Sequence, residues 1–275
     1  MQSSYINFNG KIINAEETII TADNRGFRYG DGLFETMRLE DGKVALHKYH
    51  FERLFNGLSI LKFQLPSSFT SQFLYDACLN LCAKNKYANA RIRLMVFRGN
   101  GGVFDPVNHH PNFIIQTWEL PAGKISINNN GLDIGIYHDA VKSIDKFSNL
   151  KNNNYLTYLM AALYAQENKW NDCIVLNSDG RVCEASIANI FIVKDEKIYT
   201  PELSEGCVAG VMRRFFLEKL PESGFKVYET KIEENELLNA DEIWLTNAVN
   251  KLKWVKSLNE KKFGNEMALN IFPKL

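Results

Sequence analysis

A short break after the first 118 residues divides this 275-residue chain into two parts, and this division constrains the fold more than any other feature. The break contains Pro121 and Gly123, and both residue types interrupt regular structure. The chain is also longer than one typical domain. We therefore predict a small N-terminal domain over residues 1–118, an interdomain linker at 119–124 and a larger C-terminal domain over residues 125–275.

Both parts mix patterns typical of strands with patterns typical of helices. The N-terminal part is predicted to contain a hairpin at 6–13, a strand at 33–39, helices at 47–61 and 69–85, and strands at 91–97 and 113–118. The C-terminal part is predicted to contain strands at 131–137, 172–176, 181–185, 189–193, 225–229, 242–246 and 252–255, with helices at 155–168, 210–220 and 233–238. The fold class is therefore mixed α and β (α+β).

The first helix of the C-terminal part begins at Tyr155, directly after three asparagines. Its apolar positions recur at spacings of one, three and four residues, as in an amphipathic helix. The predicted stripe consists of Tyr155, Leu156, Leu159, Ala162, Leu163 and Gln166. One of the asparagines at 152–154 is expected to cap the helix. Taken alone, Lys151, which precedes them, fits a solvated surface lysine.

The composition excludes several classes of partner. The 32 basic residues balance 32 acidic ones, so neither a nucleic acid nor an anionic membrane surface is expected to bind. No apolar run approaches the roughly 18 residues of a membrane span, and the N-terminus lacks the pattern of a secretion signal. The five cysteines have no paired or metal-binding spacing, so we expect buried, reduced thiols and no metal site. We expect a cytoplasmic protein.

Three glycines fall within seven residues, at Gly26, Gly30 and Gly32. Such a density predicts backbone at positive φ or in close contact with another segment.

Several residues have the chemistry of a binding site. Gly210 leads directly into a predicted helix, and free N–H groups at a helix start bind anions. Glu184 lies in an apolar strand and must be paired if it is buried. Arg91 and Arg93 share one strand face with apolar neighbours, which indicates a partner such as a carboxylate rather than open water.

A series of short motifs connects these residues. In order, the chain contains Arg25-Gly26-Phe27, Tyr29-Gly30-Asp31-Gly32-Leu33-Phe34-Glu35-Thr36, His50 with Arg53-Leu54, Lys151 with Asn154-Tyr155-Leu156, Glu184 with Ser186 and Asn189-Ile190-Phe191, and Gly210-Val211-Met212-Arg213. This set resembles the class IV aminotransferases, the fold type IV pyridoxal-phosphate enzymes. The family includes branched-chain and D-amino-acid aminotransferases and aminodeoxychorismate lyase. The resemblance implies a small N-terminal α/β domain and a larger C-terminal domain with a mixed, barrel-like sheet.

The resemblance also implies roles for individual residues. Lys151 matches the catalytic lysine, which forms a Schiff base with pyridoxal 5'-phosphate and then moves the substrate proton. Glu184 matches the carboxylate that faces the pyridine nitrogen. The other cofactor-binding residues implied are Arg53 and the backbone of Val211 and Met212 at the phosphate, Tyr155 near the ring hydroxyl, and Asn247 and Ala248 in a further phosphate loop. Tyr29, Phe34, Thr36 and Arg93 match residues of the substrate pocket.

The family resemblance leaves the reaction open. Tyr155 and Arg93 favour an aminotransferase, because lyases more often have arginine where Tyr155 stands. The motif from Gly30 to Thr36 and the Ala248 loop look more like the lyase. The loop 101–106 departs from both, with Val103 near where the lyase offers an arginine, and it lacks the arginine and histidine of D-amino-acid enzymes.

The sequence thus predicts a pyridoxal-phosphate-dependent aminotransferase that moves the amino group of an amino acid, of branched-chain type, to a 2-oxo acid. The alternative is aminodeoxychorismate lyase, which releases pyruvate and forms 4-aminobenzoate. A more remote alternative is a protein that binds the cofactor without turnover. The expected partners are amino-acid and 2-oxo-acid substrates, and the family resemblance implies a homodimer.

Overall fold

The computed structural model describes residues 4–104, 108–123 and 125–275. The chain divides into two compact units. The first comprises Met1–Lys124 with Lys151–Asn154, and the second comprises Ile125–Leu150 with Tyr155–Leu275. The end of the predicted linker, the end of the predicted 101–106 loop and the first three residues lie outside the described part. The sequence did not predict that four residues around Lys151 would belong to the first unit.

The first unit contains six strands and three helices among its described residues. They are β1 (Tyr5–Phe8), β2 (Lys11–Asn14), α1 (Arg25–Tyr29), β3 (Gly32–Glu40), β4 (Lys43–Val44), α2 (His47–Ile60), α3 (Ser71–Lys84), β5 (Ala90–Phe97) and β6 (Asn112–Glu119). The strands form one sheet in the order β2-β1-β6-β5-β3-β4. Asn9 and Gly10 both have positive φ, as the predicted two-residue hairpin requires.

The two faces of β3 have different environments. Leu33, Glu35 and Met37 are buried on the face that carries α2, because Glu35 bonds to side chains of that helix. Phe34 points to the other face, where it meets Arg93 of the adjacent strand β5. This alternation follows from the two-residue period of a strand. It separates a helix-covered network around Glu35 from the face that carries Phe34.

The second unit contains a nine-stranded sheet. Its elements are β7 (Leu132–Lys142), α4 (Leu156–Glu167), β8 (Asp172–Asn177), β9 (Val182–Ala185), β10 (Asn189–Lys194), β11 (Lys197–Pro201), α5 (Val211–Glu222), β12 (Lys226–Thr230), α6 (Glu234–Leu238), β13 (Glu242–Asn247), β14 (Lys251–Leu258), β15 (Lys261–Lys262) and α7 (Glu266–Ile271).

This second sheet mixes parallel and antiparallel pairs. Its order is β12-β11-β10-β13-β14-β7-β8-β9, with β15 beside β14, and β7 runs parallel to both β8 and β14. The terminal strand β9 also lies against β10, so the sheet curls back on itself as a barrel-like layer does. Buried aliphatic side chains from β7, β8, β10, β13 and β14 fill its interior. The predicted fold class is confirmed.

Helix α4 confirms the predicted helix but not its predicted orientation. Leu156, Leu159 and Leu163 of the expected stripe are 71%, 57% and 50% exposed, respectively, whereas Tyr158 and Ala161 are buried. The helix is apolar on most of its circumference, so periodicity could not select the inward face. The capping prediction is also wrong, because the N-cap residue is Tyr155, whose side chain makes no capping hydrogen bond.

Two other findings concern the predictions about cysteines and membrane spans. All five cysteines are free and buried, as expected. None of the helices in the described residues combines the length and the apolar character that a membrane span requires.

Candidate active site

In the first unit, the segment that carries Lys151 pairs with the start of β3. The N–H of Phe34 donates to the carbonyl of Lys151 at 2.9 Å, and the N–H of Asn153 donates to the carbonyl of Gly32 at 3.1 Å. This pairing directs the side chains of Lys151 and Asn153 to the Phe34 face of the sheet. The Nζ of Lys151 lies 4.6 Å from the centroid of the Phe34 ring. Lys151 is therefore held by backbone hydrogen bonds and packed against an aromatic ring.

The glycines before β3 make this pairing sterically feasible. A Cβ on Gly32 would lie 2.4 Å from the carbonyl oxygen of Val96 and 2.7 Å from the Asn153 amide. Gly30 has a φ of 64°, and a Cβ there would lie 2.4 Å from Asn154. The predicted use of these glycines, positive φ or close contact, is confirmed at both positions.

Arg53, the predicted phosphate-binding residue, forms part of a buried network with Glu35 and His50. Its Nε donates to one oxygen of Glu35 at 2.8 Å, its Nη2 donates to the other, and His50 Nδ1 lies 2.6 Å from that second oxygen. Burial favours the neutral carboxyl, but Arg53 and His50 outweigh burial and lower the pKa of Glu35 to about 2. Burial lowers the pKa of His50, so this ring is neutral and donates its Nδ1 proton. The network fixes the plane of the Arg53 guanidinium.

The four predicted substrate residues lie in the first unit. Arg93 stands opposite Thr36 in the strand register, and its Cζ lies 3.9 Å from the centroid of the Phe34 ring. Arg93 and Lys151 thus contact the same ring. Tyr29 ends α1, where the Cζ atoms of Arg25 and Arg28 lie 5.7 and 5.1 Å from its ring centroid.

Both arginines of β5 lie against aromatic rings, so each has a partner, as the sequence predicted. Arg91 stacks on Trp118 with 4.3 Å from Cζ to the ring centroid, and Arg93 stacks on Phe34. Guanidinium groups bind aromatic faces as well as anions, and this second mode was not anticipated.

In the second unit, the carboxylate of Glu184 is buried and hydrogen-bonded, as predicted for a paired group. Its Oε1 accepts hydrogen bonds from Lys142 Nζ at 2.9 Å, from Tyr158 Oη at 2.6 Å and from the N–H of Val208 at 3.0 Å. Its Oε2 receives only a long contact, 3.4 Å from Asn189 Nδ2, among the described residues. Burial, followed by the charge of Glu184, raises the pKa of Tyr158 far above its usual range. Tyr158 is therefore a permanent donor to this carboxylate.

Among the described residues, no side chain caps the backbone N–H groups at the start of α5. Gly210 is the N-cap residue, and Val211 and Met212 begin a helix of 12 residues. A Cβ on Gly210 would lie 1.8 Å from Asn189 Oδ1, so only glycine fits here. Asn189 also donates from Nδ2 to the carbonyl of Val208 at 2.9 Å, which fixes the turn into the helix. The first N–H groups of a helix have no intrahelical partner, so this turn is suited to an anion.

The remaining predicted residues have other contacts in the second unit. Tyr155 donates from its hydroxyl to the carbonyl of Ser186 at 3.0 Å, and its ring lies 4.4 Å from that of Tyr158. Asn247 Oδ1 accepts from the N–H groups of Val249 and Asn250, so this side chain shapes its own loop. Ala248 follows it in the turn.

Two residues of the Glu184 network were missed by the sequence analysis. Lys142 ends β7 and resembles an ordinary surface lysine in the sequence. Tyr158 lies three residues after Tyr155 on one helix, and this spacing was a usable signal.

Comparison with known proteins is consistent with this chemistry. The family model described as amino-transferase class IV matches residues 32–258, so the chain belongs to this family. Family members are pyridoxal-phosphate-dependent enzymes, with aminotransferases and lyases among them.

The relatives include both reactions. An aminodeoxychorismate lyase from Vibrio harveyi is 30% identical over 235 residues, which cover 85% of each chain. A branched-chain-amino-acid aminotransferase from Escherichia coli K12 is 25% identical over 273 residues, covering 96% of this chain and 87% of that protein. A crystal structure of the Escherichia coli branched-chain aminotransferase matches the fold with a TM-score of 0.88 at 24% identity, covering 99% of this chain and 94% of that one.

Proposed function

We propose that the protein is a pyridoxal-phosphate-dependent aminotransferase that uses Lys151 to move the amino group of an apolar amino acid to a 2-oxo acid. The observation that supports it best is the asymmetric environment of Glu184. A buried carboxylate with one saturated oxygen and one oxygen that receives only a long contact suits a ligand with a cationic N–H group, such as a protonated pyridine ring.

The residues present fit both polar ends of the cofactor. The uncapped N–H groups of Val211 and Met212 suit the phosphate, and the glycine at 210 leaves no side chain in their way. Glu184 suits the ring nitrogen. When bound, pyridoxal phosphate supplies an electron sink for the charge left when an amino acid loses its α-proton.

Lys151 would serve as attachment point and proton carrier. Its backbone is fixed by the pairing with β3, and its amine rests on the Phe34 ring. For this role the amine must spend part of the reaction without its proton. A neutral amine can then accept the α-proton and return it at another atom.

Arg53 and Tyr155 would complete the cofactor-binding set. Glu35 holds two N–H groups of the Arg53 guanidinium and so fixes its plane, and a planar guanidinium is suited to phosphate oxygens. Tyr155 would bind near the ring hydroxyl. Asn247 Oδ1 already accepts from the N–H groups of Val249 and Asn250, so we assign the contribution of this loop to the backbone N–H of Ala248.

The lyase is a second candidate because a relative of this chain with that activity is 30% identical. What supports transamination is Arg93, a cation on the ring that Lys151 also contacts, where it could bind a substrate carboxylate. Tyr155 stands where lyases commonly have arginine, and this also supports transamination. A homodimer, as the family resemblance implies, is part of the proposal.

Two assays on purified protein loaded with pyridoxal phosphate test the choice. One measures glutamate formed from leucine and 2-oxoglutarate, and the other measures pyruvate released from aminodeoxychorismate. We expect glutamate formation. Pyruvate release without glutamate formation would overturn the aminotransferase and support the lyase. A visible absorbance band that no amino acid shifts would instead indicate binding without turnover.

A further inference from the structure

We propose that Lys142 is a positioning residue of the site, which keeps Glu184 ionised and anchors its Oε1 so that Oε2 is presented to the ligand. The proposal rests on the assignment of Glu184 to the ring nitrogen. It adds a second lysine to the site, whose role is electrostatic, in contrast to the covalent role of Lys151.

The backbone places Lys142 at this position. Strand β7 pairs regularly with β8 up to Tyr137, then shifts register, and pairing resumes at Lys142 opposite Asn177. The carbonyl of Lys142 also accepts from the N–H of Ser178 at 3.0 Å. Irregularities of this kind redirect a side chain at the end of a strand. The lysine is therefore held inside the second unit by its own strand.

The pair is shielded from water. The side chains of Lys142 and Glu184 are 12% and 5% exposed, and 2.9 Å separates Nζ from Oε1. An ion pair at this depth is weakly screened, and removal of one partner leaves an uncompensated charge. The Lys142 amine also lies 5.2 Å from the centroid of the Tyr158 ring. Both of its partners thus belong to the network around Glu184.

Three donors on one oxygen give the carboxylate a fixed direction. Lys142, Tyr158 and the Val208 N–H all meet Oε1, so rotation about the carboxyl group would break three hydrogen bonds at once. Oε2 retains capacity to accept a hydrogen bond, since an ionised carboxylate offers about four lone-pair sites.

Three other titratable groups near this carboxylate, Tyr158, Cys183 and Cys207, stay neutral around neutral pH. Burial and then Glu184 raise the pKa of Tyr158 and of Cys183 well above their usual ranges. Burial and then Glu184 also raise the pKa of Cys207 to about 12. Lys142 is thus the cation that meets Glu184 directly, and its removal would let the buried carboxylate bind a proton more readily.

The test compares Lys142→Met, Lys142→Arg and Lys256→Met. Lys256 is a matched control because it pairs with Asp133 at 2.8 Å in the same unit, but this pair is 45% and 41% exposed. Pyridoxal 5'-phosphate is titrated into each apoprotein between about pH 6 and about pH 8, because removal of the cation beside a buried carboxylate favours the protonated form. Thermal unfolding of the cofactor-free proteins is recorded over the same range.

The proposal predicts opposite pH trends in the two measurements. For Lys142→Met, cofactor affinity is expected to fall about tenfold at the acidic end, because a protonated Glu184 cannot accept from a ring N–H, and to recover as pH rises. The unfolding temperature of its apoprotein is expected to fall further below that of the wild type as pH rises, because the ionised carboxylate then lacks its cation. Lys142→Arg should restore affinity to within about threefold, and Lys256→Met should match the wild type.

Two results would overturn the proposal. One is a ratio of cofactor affinities, wild type to Lys142→Met, that does not change with pH. The other is a Lys142→Met apoprotein with wild-type stability over the whole pH range. If the wild-type protein binds no pyridoxal phosphate, the proposed function fails by that result. The stability measurement on apoprotein then still decides whether Lys142 holds Glu184 ionised.

Discussion

Each unit of the molecule contains a buried carboxylate beside a cation, and the two carboxylates differ in what they leave open. Glu35 is 1% exposed, and both of its oxygens are bound by Arg53 and His50. Glu184 is 4% exposed, and its three short hydrogen bonds all meet one oxygen. Both oxygens of the first carboxylate are bound within its own unit, whereas one oxygen of the second has only a long contact among the described residues.

This difference teaches that burial and ion pairing alone do not mark a functional carboxylate. A carboxylate with both oxygens hydrogen-bonded stabilises its fold and orients its partners, as Glu35 orients Arg53. A buried carboxylate with one incompletely bonded oxygen has lost its hydration without full replacement by hydrogen bonds. Such groups occur where a ligand supplies the missing hydrogen bond. The comparison predicts distinct effects of substitution in the two units.

The largest expected effect is on catalysis at Glu184. Glu184→Gln should lower kcat about 10²- to 10³-fold, because a neutral amide no longer stabilises a protonated ring nitrogen. The assay is steady-state turnover at saturating cofactor. Glu242→Gln is the control, since Glu242 is a buried carboxylate of the same unit that binds the Trp244 indole and the start of α7. Equal loss of kcat in both variants would remove the distinction drawn for Glu184.

The next effect is on stability at Glu35. Glu35→Gln should lower the free energy of unfolding by about 3 kcal/mol, because it leaves Arg53 without its buried counter-charge. Urea denaturation measures the change. Asp133→Asn is the comparison, since that exposed pair with Lys256 is expected to contribute less than about 1 kcal/mol. If the two substitutions cost the same, Glu35 is not the structural carboxylate we describe.

The contribution of Glu35 to the stability of the folded protein should depend on pH. Arg53 and His50 hold the pKa of this buried group at about 2, below its ordinary value of 4.5. The unfolded chain therefore binds the proton first as pH falls, and the contribution of Glu35 is present above 4.5 and lost between 4.5 and about 2. Thermal melts of wild type and Glu35→Gln over this range should converge at low pH. Parallel curves would contradict the assignment.

The smallest effect is expected at Tyr158. Tyr158→Phe removes one of three donors to Glu184 Oε1 and should cost about 1.5 kcal/mol of stability, with a few-fold loss of kcat. Tyr164→Phe, on the same helix, is the control. A kcat loss as large as that of Glu184→Gln would mean that Tyr158 acts directly on the ligand and does more than hold the carboxylate.

Much of the fold could be predicted because its signals are local. The Asn9-Gly10 turn, the stripe of α2 and the alternation of β5 each depend on residues close in sequence. The core-facing side of α4 could not, because tertiary packing selects it and the helix is apolar on most faces. Strand β11 was also missed.

The residues of the site could likewise be predicted only where the signal is local. Glu184 could be singled out because a carboxylate in an apolar strand is chemically unusual. Lys142 could not, because 42 residues separate it from Glu184 and a lysine at a strand end is ordinarily exposed. The sequence pattern of β5 likewise showed that Arg93 shares an apolar face, but only the structure shows that Phe34 lies beneath it.

The most direct test of the account is to reduce the cofactor-loaded protein with borohydride and to map the modified lysine by mass spectrometry. The account predicts the pyridoxyl-phosphate mass on the peptide that contains Lys151, and its absence from that peptide in Lys151→Ala. Lys142, held by Glu184, should remain unmodified. Modification of Lys142, or of neither lysine, would contradict the roles assigned to both.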